Sequence, residues 1–200
     1  MRLPTPRLFF DYVDPCSWVV ERRLRAAEAD VGIEAARHPL ELVRPPAPLL
    51  DPRAEPFASR WERARAAARE DGLELARPRL VPWSRKAHEL VLHARERGAG
   101  RELHEAVFRA FHEERRDIGR VDVLVDLAVE AGLDLTETKA VLDVDRHAET
   151  LRRLRRIAER AGVPGVPTLL VERRTLQGIP DTGALRSALT PASPDNPTSR

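Results

Sequence analysis

Leu8-Phe9-Phe10-Asp11-Tyr12-Val13-Asp14-Pro15-Cys16-Ser17-Trp18 carries the decision about the fold. Leu8–Val13 is a short apolar run rich in aromatic residues, the pattern of a buried strand. The run breaks at Asp14-Pro15, and a helical pattern starts by Trp18. Asp14 is a favoured N-cap because its carboxylate can accept from the free N–H groups of the first turn. Pro15 suits the first helical position, where its missing N–H has no partner to lose. Cys16 and Ser17 then fall at the second and third helical positions, beside the positive end of the helix dipole. A thiol where a strand runs into a helix is a usual setting for thiol chemistry, so Asp14, Cys16 and Ser17 are the candidate catalytic residues.

Each of the three has a bland reading beside the chemical one. The helix N-terminus lowers a thiol pKa, but Asp14 supplies the negative charge that the dipole favours, and a neighbouring carboxylate raises a thiol pKa. Cys16 is therefore expected not to be a low-pKa thiol. Asp14 reads first as a cap and second as a general base. Ser17 reads as a first-turn serine or as a donor to a bound thiolate.

Outward from this stretch, Val19, Val20, Leu24 and Ala27 give the helix from Pro15 to about Asp30 a buried face. A second strand is expected within Ile33–Val43, which makes a βαβ opening. Pro45, Pro46, Pro48, Pro52 and Pro56 then mark an ordered connector or lid that no helix can cross. Beyond it the apolar period is 3.6 for about a hundred residues. Helices are expected at Trp61–Arg69, Ser84–Arg97, around Leu103–Phe111, at Arg120–Ala131, at Leu135–Leu142 and at Asp145–Ala161. The period then returns to strand at Val166–Val171 and Thr175–Gln177, and a helix capped by Asp181 closes the pattern near Leu189. Thr190–Arg200, rich in Pro, Ser, Asn and Thr, is expected to be disordered.

The composition narrows the function classes. With 34 basic and 32 acidic residues the formal net charge is +2, so nothing points to nucleic acid. Lys86 and Lys139 are the only lysines. The single cysteine excludes an intramolecular disulfide and a multi-cysteine metal site. His88, His93, His104 and His112 are five, eleven and eight residues apart in turn, which places no neighbouring pair at i, i+4, and no metal site is expected. No run reaches the ~18–20 apolar residues of a membrane span. Met1–Pro6 lacks the apolar segment of a signal peptide. A cytoplasmic protein that works without membrane or nucleic acid is expected.

The Asp14–Trp18 turn resembles the active-site turn of the DsbA-like branch of the thioredoxin superfamily. Redox members there, including the FrnE-like proteins, carry Cys-Pro-x-Cys, whereas 2-hydroxychromene-2-carboxylate isomerases and kappa-class glutathione transferases carry Ser-Pro-Tyr-Ser. In this chain Asp14 and Ser17 stand at the two redox-cysteine positions and Cys16 lies between them. Gly162-Val163-Pro164-Gly165-Val166-Pro167-Thr168 is similar to the family's cis-proline segment, although the residues alone would equally allow a trans edge proline. Trp83-Ser84-Arg85-Lys86-Ala87-His88 resembles an Asn-[Ser/Thr]-x-x-Ala-His segment of FrnE-like members, with Trp83 in the place of Asn.

The resemblance implies a thioredoxin fold (α/β) with an inserted α-helical subdomain. Residues 1–56 would be the first half of the thioredoxin domain with its proline-rich connector, 57–144 the helical insert, 145–189 the second half and 190–200 a tail. It also implies a cleft in which Pro15, Trp18, Trp83, His88, Val166 and Pro167 bind substrate. The function expected is that of a FrnE-like, oxidoreductase-type protein acting on or binding a thiol or small organic substrate. A two-cysteine cycle is impossible. Glutathione or another low-molecular-weight thiol is the one cofactor the resemblance suggests. The alternatives are a glutathione-dependent isomerase or transferase, and a non-catalytic thioredoxin-fold binding module. A homodimer is compatible with all three.

Overall fold

In this computed structural model, which describes residues 5–172 and 174–190, four short strands form one mixed sheet. Arg7–Phe10 (β1) runs parallel to Ala36–Pro39 (β2) and antiparallel to Thr168–Val171 (β3), and β3 pairs antiparallel with Arg174–Gln177 (β4). The order across the sheet is β2-β1-β3-β4. In register, Arg7 faces Ala36 and Phe10 faces Pro39, while Phe9 faces Thr168 on the other side. Leu8, Phe9 and Phe10 are fully buried, as expected of a strand covered on both faces.

Both N-terminal strands are shorter than the sequence suggests. β1 stops at Phe10 because the buried Asp11 carboxylate accepts from the backbone N–H of Val13 at 3.4 Å and from that of Leu42. Those backbone groups bond to a side chain instead of a ladder, and the chain leaves the sheet. β2 occupies only the middle of Ile33–Val43.

The first helix, Pro15–Val31 (α1), joins β1 to β2 and ends at Gly32, whose φ of 74° needs a residue without a Cβ. It packs against the last helix, Thr182–Leu189 (α8), and against Phe57–Glu70 (α2). Arg85–Glu96 (α3), Gly100–His112 (α4), Val121–Glu130 (α5) and Leu135–Asp143 (α6) follow α2, and Ala148–Arg160 (α7) returns the chain to the sheet beside β2. Between the start of α2 and the end of α6 the described residues contain no strand. One isolated antiparallel bridge, Leu50 to Val81, ties the proline-rich connector to this helical stretch. Of the expected tail, residues 191–200 lie outside the described residues.

An aromatic cluster joins the helical stretch to the β1–α1 turn. The Phe108 ring of α4 stacks on Trp18 of α1 at 5.0 Å between centroids and meets the Tyr12 ring at 4.8 Å. Phe10, Tyr12, Trp18 and Phe108 are all buried. Such rings bury 150–250 Å² each, so this contact holds the helical stretch against the β1–α1 turn.

Candidate functional site

The local code at the β1–α1 turn works as its residues dictate. Asp14 has extended backbone, and its Oδ2 accepts from Ser17 N at 2.9 Å. The Ser17 hydroxyl donates to the same oxygen at 2.6 Å and accepts from Asp11 N at 3.3 Å. Pro15 is the first helical residue. Asp14, Pro15 and Ser17 are all buried, so they build the turn from inside.

The second segment lies alongside. The Val166–Pro167 peptide is cis. Together with Cys16, Arg60, Arg63 and the Gln177–Ile179 turn, Val166 and Pro167 line a cleft of about 640 Å³. Arg60 joins the cleft's two walls. Its Nη1 donates to Asp14 Oδ1 at 2.9 Å and to the Val166 carbonyl at 2.8 Å. Arg63, one helical turn further along α2, is exposed and makes no ion pair among the described residues. Arg23, also in the lining, is neutralised by Asp71 at 2.6 Å and by Glu70 at 3.3 Å.

The electrostatics follow from burial. Burial pushes the Asp14 carboxyl up from the usual carboxylate range, and Arg60 and Ser17 pull it back. Burial works against the Arg60 cation, but Asp14 outweighs it and the pKa rises. Cys16 is only 3% exposed, and its Sγ lies 3.6 Å from the Arg60 carbonyl oxygen. Its thiol is pushed up to about 12, by burial first and by Asp14 second, against the pull of Arg60 and Arg63. The direction is the one the sequence suggests. The leading cause is different: removal of the sulfur from water outranks the carboxylate.

Four of the expected substrate-binding residues, Pro15, Trp18, Trp83 and His88, stand outside the cleft lining. Trp18 is buried and donates from Nε1 to Glu113 Oε1 at 3.0 Å, because its place on α1 turns it toward α4 rather than toward Pro167. Trp83 is 38% exposed and donates to the Ala47 carbonyl at 3.2 Å, pinning the proline-rich connector. His88 is fully buried, with Nε2 3.0 Å from Asp11 Oδ1. Burial works against the Asp11 charge, but the bonds to His88 and Leu42 hold its carboxyl below the usual range. His88 thus anchors α3 to the end of β1. Pro15 and Ser17 shape the cleft without lining it.

Sequence reasoning missed Arg60, which enters from 46 residues away in the chain. The available signal was indirect: a buried Asp14 needs a cation, and α2 opens with arginines just after the proline-rich connector.

With this geometry in place, comparison with known proteins decides the family. Residues 7–190 match the model of the DSBA-like thioredoxin domain. The chain belongs to the DsbA-like thioredoxin family. The uncharacterized protein YwbO of Bacillus subtilis is 29% identical over 189 residues, spanning 92% of this chain and 94% of that one. Among solved structures, a probable DsbA oxidoreductase from Streptomyces coelicolor has a TM-score of 0.81 at 25% identity, over 94% of this chain and 92% of that one. A 2-hydroxychromene-2-carboxylate isomerase has a TM-score of 0.79 at 18% identity, over 92% of this chain and 94% of that one. The cytosolic disulfide reductase DsbM of Pseudomonas aeruginosa, solved with GSH, has a TM-score of 0.67 at 23% identity, over 92% and 94% respectively. The last two are likenesses of fold. Among the described residues of this DsbA-like chain, no helix is long and apolar enough to cross a membrane.

Proposed function

We propose that this DsbA-like protein binds a small anionic thiol, with glutathione as the first candidate, in the cleft beside Cys16 and Pro167, and works without a dithiol redox cycle in the cytoplasm. The observation that carries this reading is Arg60. Its guanidinium sits where the turn and the cis-proline segment meet, held by Asp14 and by the Val166 carbonyl, and Arg63 beside it makes no ion pair among the described residues. Guanidinium groups match carboxylates in geometry as well as charge, so this lining fits a ligand with free carboxylates. Asp14 would repel a bound thiolate, but Arg60 offsets that charge at 2.9 Å.

On this reading the ligand's own sulfur is the reacting atom. Cys16 is part of the wall, because a thiol pushed up to about 12 is protonated near neutral pH. That glutathione is bound to DsbM, a protein of the same fold, supports the choice of ligand.

The test is calorimetric titration with glutathione, S-methylglutathione and a glutathione analogue lacking sulfur, alongside an insulin-reduction assay. Glutathione is expected to bind one to one. Arg63→Ala is expected to weaken it about 10-fold or more, since a hydrogen bond to a charged group contributes ~1.5–3 kcal/mol. The analogue lacking sulfur should bind less tightly than glutathione. No binding at millimolar glutathione, or an unchanged affinity in Arg63→Ala, would overturn the assignment. Efficient insulin reduction would overturn its non-redox half.

A further inference from the structure

The helical stretch contains a polar cluster that the cleft does not use. His93 on α3 is fully buried, yet among the described residues neither of its ring nitrogens has a hydrogen-bond partner. His147, the residue immediately before α7, is 5% exposed, and its Nε2 is also without a partner among the described residues. Glu96 follows His93 by three residues on α3, the spacing that puts two side chains on one helical face. One donor atom from each of His93, Glu96 and His147 can be chosen so that all lie within 4.8 Å of one another.

Leaving buried imidazole nitrogens unpaired is unfavourable, because each forfeits its bonds to water without replacement. Two such histidines facing one carboxylate call for a shared partner. A proton donor would satisfy one nitrogen, whereas a cation at the centre takes one donor atom from each of the three groups. Two imidazoles and a carboxylate are the donors of a borderline divalent metal such as Zn²⁺, which takes four ligands and accepts water in the last position. We propose that His93, Glu96 and His147 bind one Zn²⁺-like transition-metal ion between α3 and the start of α7.

Glu96 currently pairs with Arg146 at 3.3 Å, but both groups are nearly half exposed. An exposed ion pair of this kind contributes little, and the long Arg146 side chain can leave for solvent when a cation arrives. The bound ion would connect the helical stretch to the helix that leads into the Val166-Pro167 segment of the cleft. Sequence spacing concealed the site because His147 comes from a different element, 54 residues after His93 along the chain.

The experiment uses tag-free full-length protein, stripped with chelator and titrated with Zn²⁺ by calorimetry and with Co²⁺ by visible absorption. One equivalent is expected, with a cobalt spectrum of a four- or five-coordinate site. Replacing the buried His93 could unfold the helices, so the decision rests on His147→Gln and Glu96→Gln, with Glu149→Gln as a surface control. Each of the first two is expected to weaken Zn²⁺ by more than ~10-fold, the lower end of the loss seen even for outer-shell partners. The control should bind as the wild type does. A wild type that binds no stoichiometric metal overturns the proposal. So does unchanged affinity in either His147→Gln or Glu96→Gln, because the ion would then be held by other groups.

Discussion

Arg60 Nη1 lies 2.9 Å from Asp14 Oδ1, with the carboxylate fully buried and the guanidinium 25% exposed. The pair occupies the β1–α1 turn, where the resemblance places Asp14 at the position of a redox cysteine. Through the same nitrogen Arg60 ties the α1 N-terminus to the Val166 carbonyl.

Breaking this pair from one side should be costly. Arg60→Met leaves a buried carboxylate without its cation, and a loss on the order of 3 kcal/mol is expected, toward the low end for buried pairs because Arg60 is partly exposed. Asp14→Asn keeps a capping side chain. Added to Arg60→Met, it should restore most of the loss. Urea unfolding of the two singles and the double closes the cycle. A cost below ~1 kcal/mol for Arg60→Met would show that the pair does not hold the turn.

Cys16 should be inert near neutral pH. Its thiol is pushed up to about 12 by burial and then by Asp14, so alkylation should keep rising with pH well past the ordinary thiol value of ~8.5. Asp14→Asn removes the second cause only, and is expected to speed alkylation modestly while the sulfur stays slow. Iodoacetamide rates followed from pH 6 to pH 11 by mass spectrometry measure both effects. A plateau below about pH 8, or a slower Asp14→Asn variant, would contradict the arrangement of charges around the sulfur.

Much of this architecture is legible in the chain because the signals are local. Asp14-Pro15 marks a helix start by capping chemistry, and Leu103, Val107, Ala110 and Phe111 mark α4 by period alone. The single mixed sheet follows from one βαβ opening and one closing hairpin. What stayed hidden depends on contacts distant in sequence. Nothing near Arg60 says that it, rather than Arg63 or Arg65, meets Asp14. Trp18, Trp83 and His88 sit in motifs that resemble cleft residues, yet each is captured by a partner elsewhere: Glu113, Ala47 and Asp11. The end of β1 is set by the Asp11 carboxylate, a side chain that the hydrophobic pattern reads only as an interruption.

Phe108 should be the most costly single truncation in the joint between the helical stretch and the β1–α1 turn. Its ring is fully buried among Phe10, Tyr12, Trp18, His104 and His112. Phe108→Ala is expected to lose ~3–5 kcal/mol, from lost burial plus the cavity left behind. Trp18 fluorescence should report the loosened stack in the same samples. A loss below ~1.5 kcal/mol, well short of that range, would mean that the cluster collapses around the gap and is not the rigid joint described above.

His112 should make the fold sensitive to mild acid. It is fully buried, with Nε2 2.9 Å from the Tyr12 carbonyl oxygen, and its other ring nitrogen has no partner among the described residues, which favours the neutral ring. Burial depresses its pKa to about 3, against smaller upward pulls from the Tyr12 carbonyl and Asp11. The folded value is below the unfolded ~6.5, so the unfolded chain takes up the proton first as the pH falls. The stability from neutral His112 is whole above about pH 6.5 and drains away as the pH drops toward 3. At pH 5 the loss from this residue is ~2 kcal/mol, from 1.5 pH units at ~1.36 kcal/mol each. His38, depressed to about 4 by burial and by Arg7 and Arg95, adds in the same direction. Glu89, raised to about 7 by burial, acts oppositely, since its contribution is lost as the pH rises. His112→Gln isolates the one residue. Urea unfolding at pH 7.5 and 5.0 should show the wild type losing ~2 kcal/mol more than the variant across that interval. Equal losses in the two proteins would mean that His112 takes up its proton as readily in the fold as in the unfolded chain, and that burial does not hold its ring neutral.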